Sequence, residues 1–231
     1  MYKKLILFDI DGTLIFSGGV AARLMAESVS EKLSIPISWN ILDFVGNTDR
    51  SIIHMLLCRS GVSESILEEM TDQILSTYLK KLKKTLKENN VIQVLPGVKK
   101  LLARLHDNEQ FALGLVTGNI IEGAQLKLSV DNLFDYFPIG AFGDDDLNRE
   151  QLPPIAIQRA EKYYRHFFER SDIWIVGDSV NDIHCAQVNH LKSLAVASGH
   201  IKKDMLETSR PTAILSNLSD IDEVISILSS L

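Results

Sequence analysis

The feature that most restricts the fold of this chain is a recurring alternation. Short, wholly apolar runs are each followed by a longer segment with the period of a helix. The clearest runs are Leu5–Phe8, Phe111–Val116, Ile173–Val176 and Leu194–Ala197, with weaker ones at Tyr136–Phe142 and Ala213–Leu215. Helical patterns over 97–106, 120–130, 153–165, 180–189 and 220–230 separate them. A run that is apolar at every position suits a strand covered on both faces, and strand–helix alternation builds a mainly parallel sheet between two helical layers. The expected class is therefore α/β, with a doubly wound, mainly parallel sheet.

The stretch from 17 to 89 breaks the rhythm. It holds no convincing strand but three helical patterns, near 20–33, 48–59 and 63–86. In the third, Leu75, Tyr78, Leu79, Leu82 and Leu86 share one face, while Lys80, Lys83, Lys84 and Lys87 share another. This predicts an all-helical insertion at 17–89 within a core made of 1–16 and 90–231. The expected hinges are Ser17-Gly18-Gly19 and Glu88–Pro96. The lysine face is read as a solvated exterior rather than an anion site.

Charge and cysteine content narrow the function. With 24 Lys+Arg against 30 Asp+Glu, the net charge is −6. Nucleic acids and anionic membranes call for a basic surface, so neither is expected as a partner. The two cysteines, Cys58 and Cys185, are too far apart in sequence for a CxxC motif. No disulfide framework or structural zinc is expected, which fits a reducing cytoplasm. The amino-terminal apolar run is too short for a signal peptide, and no run has the roughly 18 residues of a membrane helix. The six histidines are scattered, with no spacing suited to zinc ligation.

Three of the four clear strands run into polar residues. Leu5–Phe8 is followed by Asp9-Ile10-Asp11-Gly12-Thr13, Phe111–Val116 by Thr117-Gly118-Asn119, and Ile173–Val176 by Gly177-Asp178-Ser179-Val180-Asn181-Asp182. Open α/β sheets bind ligands beyond the carboxyl ends of their strands. Neighbouring strands would thus gather four carboxylates, a hydroxyl and several helix-start amides. Carboxylates so close repel one another, and a divalent cation is the natural compensation. Oxygen-only ligands favour a hard ion such as Mg²⁺. Asp9 and Asp11 are two apart at a strand end and point the same way. One can attack phosphorus while the other exchanges a proton with the leaving oxygen and with water. Thr117-Gly118-Asn119 offers a phosphate site at a helix start, and Asp178 and Asp182 are spaced to face one ion.

With these motifs in this order, the sequence resembles the haloacid dehalogenase-like (HAD) phosphohydrolase superfamily. Its DxDGT signature is Asp9 to Thr13 here, its strand-terminal Thr is Thr117, and its GDSxxD is Gly177 to Asp182. The insertion lies where the family carries its helical C1 cap. Residues 44–52, Phe-Val-Gly-Asn-Thr-Asp-Arg-Ser-Ile, resemble a stretch of phosphoglycolate-phosphatase-like caps. The resemblance implies a Rossmann-like core sheet with an inserted all-helical cap. It makes Asp9 the nucleophile and a Mg²⁺ ligand. Asp11 becomes the general acid/base, with its carbonyl on the metal. Thr117, Gly118 and Asn119 hold the phosphoryl group, Asp178 ligates Mg²⁺, and Asp182 supports the ion directly or through water. The third signature, a Lys before Pro-x-Pro in many relatives, departs here: the region is Asn148-Arg149-Glu150-Gln151-Leu152-Pro153-Pro154. Arg149 is the candidate cation, although alignment on Ala160 puts Glu150 at that position; Arg159 and Arg50 are the reserves.

The expected activity is hydrolysis of a small phosphorylated metabolite by a Mg²⁺-dependent phosphatase, working in the cytoplasm as a monomer or homodimer. A phosphosugar mutase would use the same core residues. A metal-free dehalogenase is disfavoured by Asp11, Asp178 and Asp182. A phospho-acceptor regulatory protein, as in response-regulator receivers, is disfavoured by the insertion and by GDSxxD.

Overall fold

The computed structural model describes residues 3–89 and 91–230. Strand β1 (Lys4–Phe8) leads to a two-residue strand β2 (Ile15–Phe16) and three helices, α1 (Val20–Leu33), α2 (Asp49–Arg59) and α3 (Leu67–Glu88). The chain returns through β3 (Gln93–Val94) to α4 (Val98–His106), β4 (Phe111–Val116), α5 (Ile121–Leu128), β5 (Gly140–Ala141) and α6 (Leu152–Tyr164). It continues with β6 (Ile173–Gly177), α7 (Val180–Val188), β7 (Lys192–Val196), α8 (Lys203–Thr208), β8 (Ala213–Leu215) and α9 (Ile221–Ser229).

Six strands form one parallel sheet in the order β5-β4-β1-β6-β7-β8. The expected doubly wound architecture is present, with β1 inside the sheet and β4 and β6 beside it. Why these strands are apolar throughout is visible in where alternate residues go. Leu5 and Leu7 of β1, Ala112 and Val116 of β4, and Ile173 and Ile175 of β6 join a core cluster with α6 and α7. Ile6, Phe8, Leu113, Leu115, Trp174 and Val176 join the opposite cluster, with α4 and α9. Period-two side chains on a sheet covered on both faces demand apolar residues at both phases. Parallel pairing then brings the carboxyl ends of β4, β1 and β6 side by side.

Helices α1, α2 and α3 enclose a third cluster, including Leu24, Val29, Ile53, Leu56, Ile74 and Tyr78. On α3 the apolar face is buried, and Lys80, Lys83, Lys84 and Lys87 are exposed, as the pattern predicts. The link between this unit and the sheet is an antiparallel ribbon, Ile15 opposite Val94 and Phe16 opposite Gln93. Two-residue strands are too short to leave a periodic signal, and the sequence did not announce this ribbon. Asn90, within the expected second hinge, lies outside the described residues, as do Met1, Tyr2 and Leu231 at the ends of the expected core.

Some boundaries differ from expectation. The expected strand 136–142 is reduced to Gly140–Ala141, preceded by a 3₁₀ segment, Val130–Tyr136, with Asp131 and Asn132 in left-handed backbone. Its aromatic residues serve packing instead: Phe137 tilts against Phe8, with ring centres 5.9 Å apart. α3 starts at Leu67, after a 3₁₀ turn at Glu64–Ile66. β7 begins at Lys192, and the short helix α8 was not anticipated. Cys58 and Cys185 are both free. No helix among the described residues is long and apolar enough to cross a membrane.

Candidate active site

Asp9 follows β1, Thr117 follows β4 and Asp178 follows β6, so all three stand on one edge of the sheet. Asp182 joins them from the first turn of α7. Asp9, Asp178 and Asp182 are buried, and each offers a carboxylate oxygen within 4.8 Å of the others. Two like charges at that distance repel by about 3 kcal/mol, taking an effective dielectric of ~20. Burial, the largest cause, pushes the Asp9 carboxyl up to about 6, with Arg149 opposing the rise and Asp182 adding to it. Burial also raises Asp178 well above the usual carboxylate range, and Asp9 and Asp182 push the same way.

Arg149, buried in a 3₁₀ turn just before α6, is the local counter-charge. Its Nη2 stands 3.0 Å from Asp9 Oδ1 and 2.5 Å from Asp182 Oδ1. The Arg149 Nε is buried with no hydrogen-bond partner among the described residues. The rival positions lie elsewhere. Glu150 faces His184 at 3.0 Å, Arg159 forks onto Asp145, and Arg50 is held by Glu68 and Asp72.

The Ser-x-x-Asp of GDSxxD is a capping box. Ser179 Oγ accepts from the Asp182 amide, and Asp182 Oδ2 accepts from the Ser179 amide at 3.0 Å and from its hydroxyl at 2.6 Å. Starting α7 and fixing the Asp182 carboxylate are therefore one event. Asp178 differs: no hydrogen bond or ion pair to its side chain exists among the described residues. Gly12 lets the loop lie against it. With φ at +81° it takes a left-handed turn, and a Cβ there would fall 2.2 Å from Asp178 Oδ2.

Asp11 turns away from the three clustered carboxylates, and its side chain is part-exposed. Its Oδ2 accepts from Lys127 Nζ at 2.6 Å and from Asn119 Nδ2 at 2.9 Å. Lys127 also donates to Asn119 Oδ1 at 2.5 Å, and its charge acts on the Tyr78 hydroxyl of α3. Asn119 Nδ2 reaches Thr117 Oγ1 at 2.8 Å. The Asn119 side chain is thus spent on Thr117, Asp11 and Lys127. The helix-start amides are less available than their position implied: Ile120 donates to Asp49 Oδ2 and Ile121 to Asp144 Oδ2. The Asn119 amide faces Thr117 Oγ1 at 3.3 Å. Thr117 Oγ1 accepts from both Asn119 nitrogens, which leaves its own hydrogen to donate, and the Gly118 amide has no hydrogen-bond partner among the described residues.

The helical unit closes over this edge through residues 46–49. The Asp49 amide donates to Gly118 O at 2.7 Å, Asn181 Nδ2 to Gly46 O at 2.9 Å, and Thr48 Oγ1 to Leu147 O at 2.9 Å. Gly118 is required for that approach, because a Cβ there would fall 2.0 Å from Asn47 O. The stretch 44–52, noted in the sequence, is where the helical unit meets the site. Between the two lies a cavity of about 100 Å³ lined by Asp9, Asp11, Thr117, Lys127, Arg149 and Asp178 on the sheet side.

A hard divalent cation fits the donor set. Three buried carboxylates exceed what one guanidinium neutralises, all donors are oxygen, and Asp178 has no other partner among the described residues.

Residues 6–196, a span holding every one of these groups, match the sequence profile of the haloacid dehalogenase-like hydrolases. The chain belongs to that family. A phosphoglycolate phosphatase from Vibrio vulnificus (strain YJ016) is 26% identical over 225 residues, which is 96% of this chain and 96% of the relative. A hydrolase from Pseudomonas syringae superposes on 99% of this chain and 100% of its own with a TM-score of 0.73 at 19% identity. A haloacid dehalogenase-like family protein from Streptococcus pneumoniae covers 97% of both chains, with a TM-score of 0.65 at 18% identity.

Within this member of the haloacid dehalogenase-like family, Lys127 and Asp49 are the buried charged residues at the site that sequence reasoning did not single out. Lys127 lies in the last turn of α5, ten residues past Thr117, where a lysine reads as an ordinary solvent-facing charge. Asp49 reads as a first-turn acid of α2. Burial is what sets both apart, and burial depends on the packing of α3 and α5, which no local pattern reveals.

Proposed function

We propose that this hydrolase is a Mg²⁺-dependent phosphomonoester phosphatase acting through an aspartyl-phosphate on Asp9. The observation that carries this reading is the cluster of buried Asp9, Asp178 and Asp182 at the carboxyl ends of the adjacent strands β1 and β6, with Arg149 paired to Asp9 and Asp182. Mg²⁺ held by Asp9 and Asp178, with Asp182 supporting the site, supplies positive charge to offset the phosphoryl oxygens.

Arg149 fixes Asp9 through Oδ1 and has Nε still unspent, so it can orient the nucleophile and donate to a phosphoryl oxygen. The Thr117 hydroxyl and Gly118 amide complete the phosphoryl cradle. An Asp9 oxygen attacks phosphorus, and the bond from phosphorus to the ester oxygen breaks. Asp11, as the acid, gives that oxygen its proton and becomes a carboxylate. Lys127 and Asn119 hold this carboxylate by Oδ2, leaving Oδ1 for proton exchange. In the second half Asp11 takes a proton from water, whose oxygen attacks phosphorus and frees the Asp9 carboxylate with release of phosphate. The unit over 17–89 acts as a cap: docked through 46–49, it excludes bulk water from the first transfer.

A phosphosugar mutase would have to hold a second phosphoryl group on the cap side. Arg50 is paired outward and the α3 lysines are exposed, which favours hydrolysis.

The test is metal exchange on a generic ester such as p-nitrophenyl phosphate. Excess chelator is expected to abolish turnover, Mg²⁺ to restore it, and Ca²⁺ to fail, since its longer, looser coordination spoils in-line attack. Full turnover in chelator would overturn the metal assignment.

A further inference from the structure

We propose that the leaving-group side of the cavity takes a compact, uncharged alcohol, so that the substrates are phosphomonoesters whose only anion is the phosphate itself. This rests on the phosphatase reading above and specifies its substrate class.

Much of the wall facing the catalytic edge is carbon. Ala22 and Met25 of α1, Ile52 of α2, and Phe16, Ile41 and Phe44 line it. A second anion placed there would need a cation or several donors, because a charged group taken from water into an apolar site is costly unless paired. The cations lining the cavity are already engaged. Arg149 sits on the sheet side, bound to Asp9 and Asp182. Lys127 is buried, gives hydrogen bonds to Asp11 and Asn119, and directs its remaining charge at Tyr78. Arg50 points away from the cavity, into Glu68 and Asp72. His200 is exposed, and its ring lies tilted on Phe16 rather than against the catalytic edge.

The fixed charges also oppose a second anion. Asp11 and Asp49 both line the same space. Of the other polar groups on the lining, Asn47 is spent on Asp43 O and Asn181, which leaves Ser17 and the Tyr78 hydroxyl, beside Lys127, to pair with a hydroxyl or ether. Size points the same way. The cavity measures about 100 Å³. This preference sets the chain apart from what the names of its phosphoglycolate phosphatase relatives describe.

The test uses two esters of matched size, 2-hydroxyethyl phosphate and phosphoglycolate, with p-nitrophenyl phosphate as a control for basal activity. kcat/KM is measured at pH 8 with saturating Mg²⁺. The neutral ester is expected to exceed phosphoglycolate by at least about tenfold, the effect of one unpaired polar or charged group in a closed site. Ala21→Arg, at a half-buried position of α1 on the cavity, should narrow that ratio about tenfold by supplying the missing cation. Phosphoglycolate turned over as well as or better than the neutral ester by the wild-type enzyme would overturn the inference and leave the phosphatase reading standing. Absence of hydrolysis of all three esters would overturn both.

Discussion

The sheet side of the cavity and the cap side differ in how their residues are held. On the sheet side, Asp9 and Asp182 are both paired with Arg149, and each of the three leaves the backbone at a fixed place: a strand end, a capped helix start, a turn before a proline-bearing helix. On the cap side, Met25 and Ile52 meet the cavity as part of a helix-packing cluster. Charged groups in low dielectric tolerate little displacement, because an unpaired buried charge costs several kcal/mol, whereas a carbon wall can change shape for far less. The contrast teaches where chemistry and selectivity reside. The edge of the sheet is constrained by phosphoryl transfer, and the wall is free to follow the leaving group.

The sharpest way to break this contrast is to remove the counter-charge. Arg149→Ala is expected to lower kcat/KM on the order of 10²- to 10³-fold, as loss of an electrostatic donor does. It also leaves Asp9 and Asp182 buried without their cation, so stability falls unless Mg²⁺ is present. Arg149→Lys should recover part of the activity, keeping charge but losing the planar fork. A kinetically silent Arg149→Ala would contradict the assignment. Steady-state rates beside thermal melts with and without Mg²⁺ separate the two effects.

Lys127→Met sharpens the comparison, because Lys127 belongs to the core yet meets the cap at Tyr78. Without it, Asn119 is the one side-chain anchor left to Asp11 among the described residues. The expected loss in kcat is on the order of tenfold for alkyl phosphates and smaller for aryl phosphates, whose leaving groups need less protonation. An equal loss on both classes would mean that Lys127 merely supports the fold.

The smallest effect concerns Asp49, at the seam between the two regions. Burial pushes its carboxyl up to about 6, against the pull of Lys127 and the Ile120 amide, with Asp11 and Asp144 adding to the rise. Its pKa is thus higher folded than unfolded, so folding takes up a proton between about pH 4 and 6. Stability contributed by this group therefore increases as pH falls through 6. Asp49→Asn is neutral at every pH and lacks this dependence. Its stability relative to wild type should fall by about 1.4 kcal/mol between pH 8 and pH 5. Denaturant melts at the two pH values check this, and a constant difference would contradict it.

How much of this was legible beforehand follows from the same contrast. The carboxyl-end residues announce themselves because strand-terminal Asp and Thr after apolar runs are local patterns, and the sheet order then brings them together. Asp182 was legible through its spacing from Asp178, whereas the capping box that it closes with Ser179 shows only in the structure. Arg149 was harder, since its motif departs from the usual lysine and only the fold shows that it, rather than Glu150, turns inward. Lys127 was hidden because α5 places it beneath Tyr78 of α3, a contact between residues 49 positions apart. The β2–β3 ribbon was hidden because its two pairs are too short for periodicity. The aromatic run near 136–142 misled, since β-prone residues there fill the core beside Phe8 from a 3₁₀ turn.

The account depends most on Asp9 carrying the phosphoryl group. Quenching the enzyme with Mg²⁺ and a rapidly cleaved phosphate ester, then digesting and weighing the peptides, tests this directly. A mass increase of one phosphoryl group, about 80 Da, confined to the peptide with Asp9 and absent in Asp9→Asn, is the predicted result. Phosphate on any other peptide, or turnover by Asp9→Asn at a rate near wild type, would contradict it.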